Sequence, residues 1–344
     1  SIMISQADCE LIKTELANGV TGSLLGTGIS NPPRDGDFDS GIVCHEYGHG
    51  VSNRLTGGPD DTGCLFNAEQ MGEGWSDYVG LMLTMEEGDL STDIRGVGTF
   101  AIDQATDGIG IRPAPYSTDF GINPFTYAAT NDVNNISQPH GVGFVWCSML
   151  WDMTWLLIDE YGFDPDFYNG TGGNNIAMQL VTEGMKIQPC GPGFIDGRDA
   201  ILEADMQLYG GANQCLIWEA FAKRGLGVSA SQGSANSRTD QVEAFDLPTI
   251  CLIPDFPPQA AFALAFGDEC NGKFVFEDQS TDIPQMWMWD FGDGNSSTES
   301  NPTHIYDTEG TFDVTLIVTN TLGADTVMQQ VTVDFIDSPL VEDG

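Results

Sequence analysis

The chain has 344 residues, 41% of them hydrophobic, the composition of a globular protein long enough for two or three domains. Its 51 acidic residues against 11 basic ones leave a formal net charge of −40, which excludes nucleic acid and anionic membrane surfaces as partners, because both demand basic patches. Such acidity suits a secreted protein in a salty or calcium-rich medium, where cations screen the self-repulsion.

Residues 1–26 read as strand, helix, strand, over Ile2–Ser5, Gln6–Ala17 and Val20–Leu25. The opening Ser1-Ile2-Met3-Ile4-Ser5 has neither the basic flank nor the apolar core of a signal peptide. A turn-rich link over 26–39 carries Asn31-Pro32-Pro33 and Asp35-Gly36, both strong breakers. A helix is predicted from Ser40 to Leu55, stopped by Thr56-Gly57-Gly58-Pro59. A second is predicted over 68–86, with Tyr78, Leu81, Met82 and Met85 on its apolar side.

Residues 105–139 are irregular and rich in Gly, Pro, Asn and Thr; a structureless stretch of this length is uncommon unless functional. It ends at Pro139-His140, and an apolar helix follows over 141–159. Interrupted by Asp152 and short of a clean run of about 20 apolar residues, it reads as a buried helix and not a membrane span. Two amphipathic helices come next, one over about 197–209 with Asp196 as its cap, one over Ala212–Arg224 packing Leu216, Ile217, Trp218 and Phe221. After Leu247-Pro248, prolines 254, 257 and 258 mark a linker. Phe312, Val314, Leu316 and Val318 then alternate with Thr311, Asp313, Thr315 and Ile317. With turns at Asp293-Gly294 and Gly310, this pattern predicts a small β-sandwich of about 80 residues.

Eight cysteines point to an oxidising compartment, and the absence of any C-x-x-C pair argues against a cysteine zinc knuckle. Cys190 with Cys215, which flank a helical segment, is the preferred bridge, and Cys251 with Cys270 the second. Spacing leaves the connectivity open.

The chemistry sits in the first helix. His45-Glu46-Tyr47-Gly48-His49 is followed 24 residues later by Glu73 in Met71-Gly72-Glu73-Gly74-Trp75-Ser76-Asp77. Positions i and i+4 of a helix share one face, about 5–6 Å apart at Cβ. His45 and His49 can therefore grip one metal, while Glu46, one residue round, can reach water at the metal instead. Glu73 from the next helix completes three protein ligands and leaves a fourth position open, the mark of a catalytic zinc site. Asp77, four residues after Glu73, can accept the far N–H of a metal-bound histidine and fix its tautomer. The chain has only four histidines, so a chance His-Glu-x-x-His arises in roughly a few per thousand such chains. A surface helix that carries two histidines by accident is the bland alternative.

The run His45-Glu46-Tyr47-Gly48-His49-Gly50-Val51-Ser52-Asn53-Arg54-Leu55-Thr56-Gly57-Gly58, with Gly72-Glu73-Gly74-Trp75-Ser76-Asp77, resembles the fungalysin family of secreted zinc metallopeptidases. These are relatives of thermolysin in the Glu-zincin group. The resemblance covers about 30–250 and includes Gln188-Pro189-Cys190 and Asp196-Gly197-Arg198-Asp199-Ala200. It implies the mainly α, helical C-terminal lobe of a thermolysin-like metallopeptidase, with His45, His49 and Glu73 as zinc ligands, Glu46 as general base and Asp77 behind His45. It also implies that His140, in His140-Gly141-Val142-Gly143, hydrogen-bonds the developing oxyanion. Arg112, in Gly110-Ile111-Arg112-Pro113, falls where relatives place a substrate-binding arginine, with a plain surface arginine as the alternative. No tyrosine in this segment matches the oxyanion-binding tyrosine of thermolysin-like enzymes.

Residues 255–335 resemble a PKD domain, through Trp289-Asp290-Phe291-Gly292-Asp293-Gly294, Asn301-Pro302-Thr303-His304-Ile305-Tyr306 and Gly310. Such domains are immunoglobulin-like β-sandwiches that act as spacers or bind substrate surfaces, and His304 belongs to that pattern as a structural residue. Ile2-Met3-Ile4-Ser5-Gln6-Ala7-Asp8 is similar to the end of a protease-associated domain. The expected layout is therefore the tail of such a domain over 1–26, a metallopeptidase lobe over 27–250 and a PKD-like sandwich over 255–336. Thermolysin-like enzymes also carry an upstream β-rich lobe, which the 39 residues ahead of the metal helix cannot hold; a fragment of a longer precursor is expected. The implied activity is that of a secreted, extracellular zinc endopeptidase acting on proteins or peptides, with calcium also admitted by the acidity and the relatives. A zinc aminopeptidase and a non-catalytic extracellular adhesion protein remain alternatives.

Overall fold

The first helix starts where Asp39 can cap it: its carboxylate accepts the Ile42 N–H at 3.2 Å and, from a distant loop, the Ala101 N–H at 3.1 Å. The computed structural model describes residues 34–252, 254–268 and 272–335; the strand–helix–strand expected over 1–26, and Cys270, lie outside the described residues. Helix α1 runs Ser40–Leu55 and stops at Thr56, after which Gly57 and Gly58 adopt φ of 84° and 86°, a left-handed backbone that favours glycine.

Helix α2, Gly72–Leu83, is shorter than the pattern suggests. Upstream of it the Glu69 N–H bonds the Ala235 carbonyl at 3.0 Å, which takes that backbone out of a helix. The buried Glu69 carboxylate accepts the Phe194 N–H at 3.3 Å and the Tyr127 hydroxyl at 2.7 Å. Helix α3, His140–Tyr161, is buried without a break from Gly141 to Trp155. By length and composition it would suit a bilayer, yet 94% of its apolar window is buried inside the protein, as befits a helix apolar on all sides.

Helix α4, Gly173–Ile187, is not revealed by the sequence pattern, because Gly170, Gly172 and Gly173 disguise its entry. Helix α5, Phe194–Tyr209, begins earlier than expected. Asp196 is therefore not its N-cap; it sits in the first turn and reaches back to the Gly193 N–H at 2.9 Å. Gln232 Oε1 accepts the Ile195 and Asp196 N–H groups at 2.9 and 3.2 Å. Helix α6 spans Gln214–Lys223. Helix α3 packs against α2, α4 and α6, while α1 lies on α2 and α5 on α4.

The segment 105–139 stays irregular apart from a short 3-10 helix, Tyr127–Asn131, but it is firmly held. Arg224, fully buried, pairs with Asp152 of α3 (Nε to Oδ2 2.6 Å) and donates to the carbonyls of Ser117, Asn123 and Phe125 at 3.1, 2.6 and 3.0 Å. Asp152 interrupts the apolar helix to balance this guanidinium, since removing one partner of such a pair strands a buried charge.

The preferred bridge between Cys190 and Cys215 is not formed. Cys190 pairs with Cys64, their Cα atoms 4.5 Å apart, because the Gly191 N–H bonds the Cys64 carbonyl at 2.8 Å and Asn67 donates to the Pro192 carbonyl at 2.8 Å. These contacts lay the post-α4 turn against the segment after α1. Cys215 and Cys251 are each disulfide-bonded.

The chain divides into two compact units at the Leu247–Pro248 junction. The second contains two antiparallel sheets. Strands β1 (Phe262–Asp268), β2 (Lys273–Asp278) and β5 (Thr303–Ile305) form one in the order β1-β2-β5. Strands β3 (Met286–Asp290), β4 (Ser296–Ser297), β6 (Gly310–Asn320) and β7 (Gly323–Val333) form the other in the order β4-β3-β6-β7. Val314, Leu316 and Val318 face the core, as the alternation predicts, with Phe276, Trp289, Phe291 and Tyr306.

Glu69 makes the fold pH-sensitive. Burial lifts its carboxyl from an ordinary 4.5 to about 7. A raised folded-state value stabilises fully below the unfolded value and is lost as pH rises through the folded one. We expect wild type to lose up to about 3 kcal/mol relative to Glu69→Gln between pH 4.5 and 8. Urea unfolding of both proteins across that range is the check, and parallel profiles would contradict it.

Candidate metal centre

Three helices meet at glycines. A Cβ at Gly48 of α1 would stand 2.7 Å from the Ser76 Cα of α2, and one at Gly143 of α3 would stand 2.5 Å from the Glu73 Cβ. Gly74 lies directly against the Gly143 carbonyl. No larger residue permits these approaches, and they bring side chains from separate helices to one point.

At that point three imidazoles converge on the Glu73 carboxylate. His45 Nε2 is 3.2 Å from Oε2, while His49 Nε2 and His140 Nε2 are each 3.6 Å from Oε1. The rings of His45 and His49 stand edge to face, their centroids 4.7 Å apart. Donor atoms of His45, His49 and Glu73 all lie within 4.8 Å of one another. Two imidazole nitrogens and one carboxylate oxygen suit a divalent cation such as zinc.

Behind this face, the His45 Nδ1–H donates to Asp77 Oδ1 at 2.7 Å, which leaves Nε2 as the nitrogen turned towards Glu73. Burial works against charge on His45, but its hydrogen bonds to the carboxylates of Asp77 and Glu73 outweigh it and lift the ring to about 9. Burial alone would raise Asp77 and Glu73. Instead, hydrogen bonds from His45 and Arg112 to Asp77, and from His45 to Glu73, hold both carboxyls below their usual range.

Arg112 is not a surface arginine. It is 8% exposed, with Nε and Nη2 each 2.7 Å from the Asp77 oxygens and Nη2 3.4 Å from Glu73 Oε2. Glu46 is exposed on α1 and accepts no hydrogen bond among the described residues. The His140 side chain, on the first residue of α3, is 57% exposed. His304 lies in the other unit, bonded to Asp293 at 2.8 Å and stacked on Phe291 with centroids 4.1 Å apart. Sequence reasoning missed Tyr116, whose hydroxyl donates to Asp77 Oδ2 at 2.5 Å. Nothing in Pro115-Tyr116-Ser117 signals an inward-pointing ring.

Residues 18–230 match the model of the fungalysin metallopeptidase (M36) family. The chain belongs to the fungalysin metallopeptidases. Among similar sequences, "Extracellular metalloproteinase 10" of Coccidioides posadasii is 48% identical over 222 residues, 62% of this chain and 34% of that protein. "Extracellular metalloproteinase mep" of Aspergillus fumigatus is 48% identical over 60% of this chain and 33% of its own length. The chain thus spans about a third of the length of the curated relatives it matches. Residues 257–335 match the PKD domain model. The crystal structure of the PKD1 domain from Vibrio cholerae metalloprotease PrtV is 32% identical, covering 23% of this chain and 99% of that one, with a TM-score of 0.21.

The glycine contact between α2 and α3 makes a direct prediction for this fungalysin. Gly143→Ala should push Glu73 away from the two histidines and weaken divalent-metal binding at least about tenfold, alongside an overpacking cost of about 1–3 kcal/mol. Chelator competition on the folded variant measures it; wild-type affinity would show that the contact does not position Glu73.

Proposed function

We propose that this chain is the metal-binding helical part of a secreted, extracellular zinc endopeptidase that hydrolyses peptide bonds in proteins. The observation that supports it most is the convergence of His45, His49 and His140 on the Glu73 carboxylate, with Asp77 directly behind His45. His45, His49 and Glu73 hold the zinc. When bound, zinc supplies a Lewis acid that polarises the scissile carbonyl and eases ionisation of water.

Glu46 is exposed and one residue round the helix from His45. It takes the proton of the attacking water and passes it to the departing amine. His140 donates to the carbonyl oxygen as negative charge develops, a kind of contact worth about 3–4 kcal/mol per well-placed donor. Asp77 keeps the proton on His45 Nδ1, so that the lone pair of Nε2 faces the metal. Arg112 holds Asp77 through Nε and Nη2, and its Nη1, which makes no hydrogen bond among the described residues, is left to meet a substrate carbonyl.

The proposed layout is a protease-associated-like tail over 1–26, the metallopeptidase lobe over 27–250 and a PKD-like sandwich over 255–336 that spaces the enzyme or binds a substrate surface. The extracellular relatives support export. Calcium is a second proposed cofactor, suggested by the net charge of −40. Its ligands are not assigned: the other trio of convergent donors among the described residues, Asp61, Cys64 and Cys190, contains the disulfide.

The test uses the full-length protein that carries this chain, assayed on casein and on N-terminally blocked peptides with and without chelator. Glu46→Gln should lower hydrolysis by about 10²–10⁴-fold and keep one zinc per chain. Loss of zinc together with activity would remove Glu46 from the role of base. Cleavage of free N-termini alone would favour an aminopeptidase.

A further inference from the structure

Asp77 is a buried carboxylate with a full set of donors. His45 Nδ1 and Arg112 Nη2 lie 2.7 Å from Oδ1, Arg112 Nε lies 2.7 Å from Oδ2, and the fourth donor is the Tyr116 hydroxyl, 2.5 Å from Oδ2. A carboxylate stripped of hydration needs such donors to stay charged.

The position of Tyr116 is set by contacts that do not involve Asp77. Its backbone exchanges two hydrogen bonds with Arg95, at 3.0 and 2.9 Å, and its ring packs on Phe144 of α3 with centroids 5.1 Å apart. The next carbonyl, Ser117, is held by the buried Arg224. The Cys147 thiol, also on α3, lies beside the tyrosine side chain. Burial and the adjacent Asp77 charge keep the phenol protonated, so the bond runs from hydroxyl to carboxylate. Arg112 alone grips both oxygens from one side. A donor mounted on α3 and on the Arg95 backbone stops the carboxylate from turning about its Cβ–Cγ bond and keeps Oδ1 aimed at His45.

We propose that Tyr116 is a positioning residue of the metal centre: its hydroxyl holds Asp77 in orientation and, through it, aims the ring of His45 at the cation. The inference rests on the metal-site reading above. It adds a residue one step further from the metal than any that the motif supplies.

The experiment measures zinc affinity of the purified chain by chelator competition, for wild type, Tyr116→Phe, Asp77→Asn, the double variant and Tyr127→Phe. Tyr127 makes an equivalent buried bond to Glu69, which is bonded to none of the proposed ligands among the described residues, and reports the effect of losing a tyrosine hydroxyl on folding. Tyr116→Phe should bind zinc about tenfold more weakly, Tyr127→Phe should bind as wild type does, and Tyr116→Phe should add nothing in the Asp77→Asn background. If Tyr116→Phe does not fold, recovery of the fold in the double variant supports action through the Asp77 charge, and failure of both to fold overturns it. Unchanged affinity in Tyr116→Phe, or additive losses in the double variant, would overturn the proposal and leave the metal site standing. A wild-type chain that binds no zinc would end both readings.

Discussion

Backbone proximity at glycines is the constraint on which this molecule depends. An imidazole ring reaches only a few ångströms beyond its helix, so side chains on α1, α2 and α3 can meet only if the helices nearly touch. Gly48 against Ser76 and Gly143 against Glu73 and Gly74 provide that contact. The rest of the helical unit serves to hold it. Helix α3 is enclosed on all sides, and the Trp146 ring packs edge-on to Trp75 of α2 and Phe194 of α5, with centroids 5.0 and 5.1 Å apart.

Electrostatics sets the second layer. Asp77 and Arg112 are both buried charges, and each would be costly alone. Together with His45 and Tyr116 they form a network in which the Asp77 carboxylate accepts four hydrogen bonds. A similar logic governs Asp152 and Arg224. That pair secures the loop between Ser117 and Phe125, downstream of Arg112 and Tyr116. Irregular backbone is thereby made rigid enough to carry residues that must sit to within a fraction of an ångström.

The helix carrying His45 and His49, and the approach of Glu73 and Asp77 to it, were legible because helical spacing alone places i and i+4 on one face, and because the chain has only four histidines. The alternation along β6 was legible for the same reason, a period tied to one buried face. Helix α4 is not legible in the sequence because its glycine-rich entry has the pattern of a loop. Helix α2 starts later than its pattern predicts because the Glu69 backbone is claimed by Ala235, a tertiary contact 166 residues away in sequence, from 69 to 235. Disulfide pairing and the inward turn of Tyr116 depend on which distant segments are laid side by side, and no local pattern encodes that.

The Cys64–Cys190 bridge closes a loop with a sequence separation of 126 residues, and the whole irregular segment 105–139 lies within it. A single nick in that segment would leave two pieces. One would carry His45, His49, Glu73 and Asp77, the other His140 and the core of α3. The two would remain one covalent molecule, with the severed ends free but the halves of the centre still tethered through sulfur.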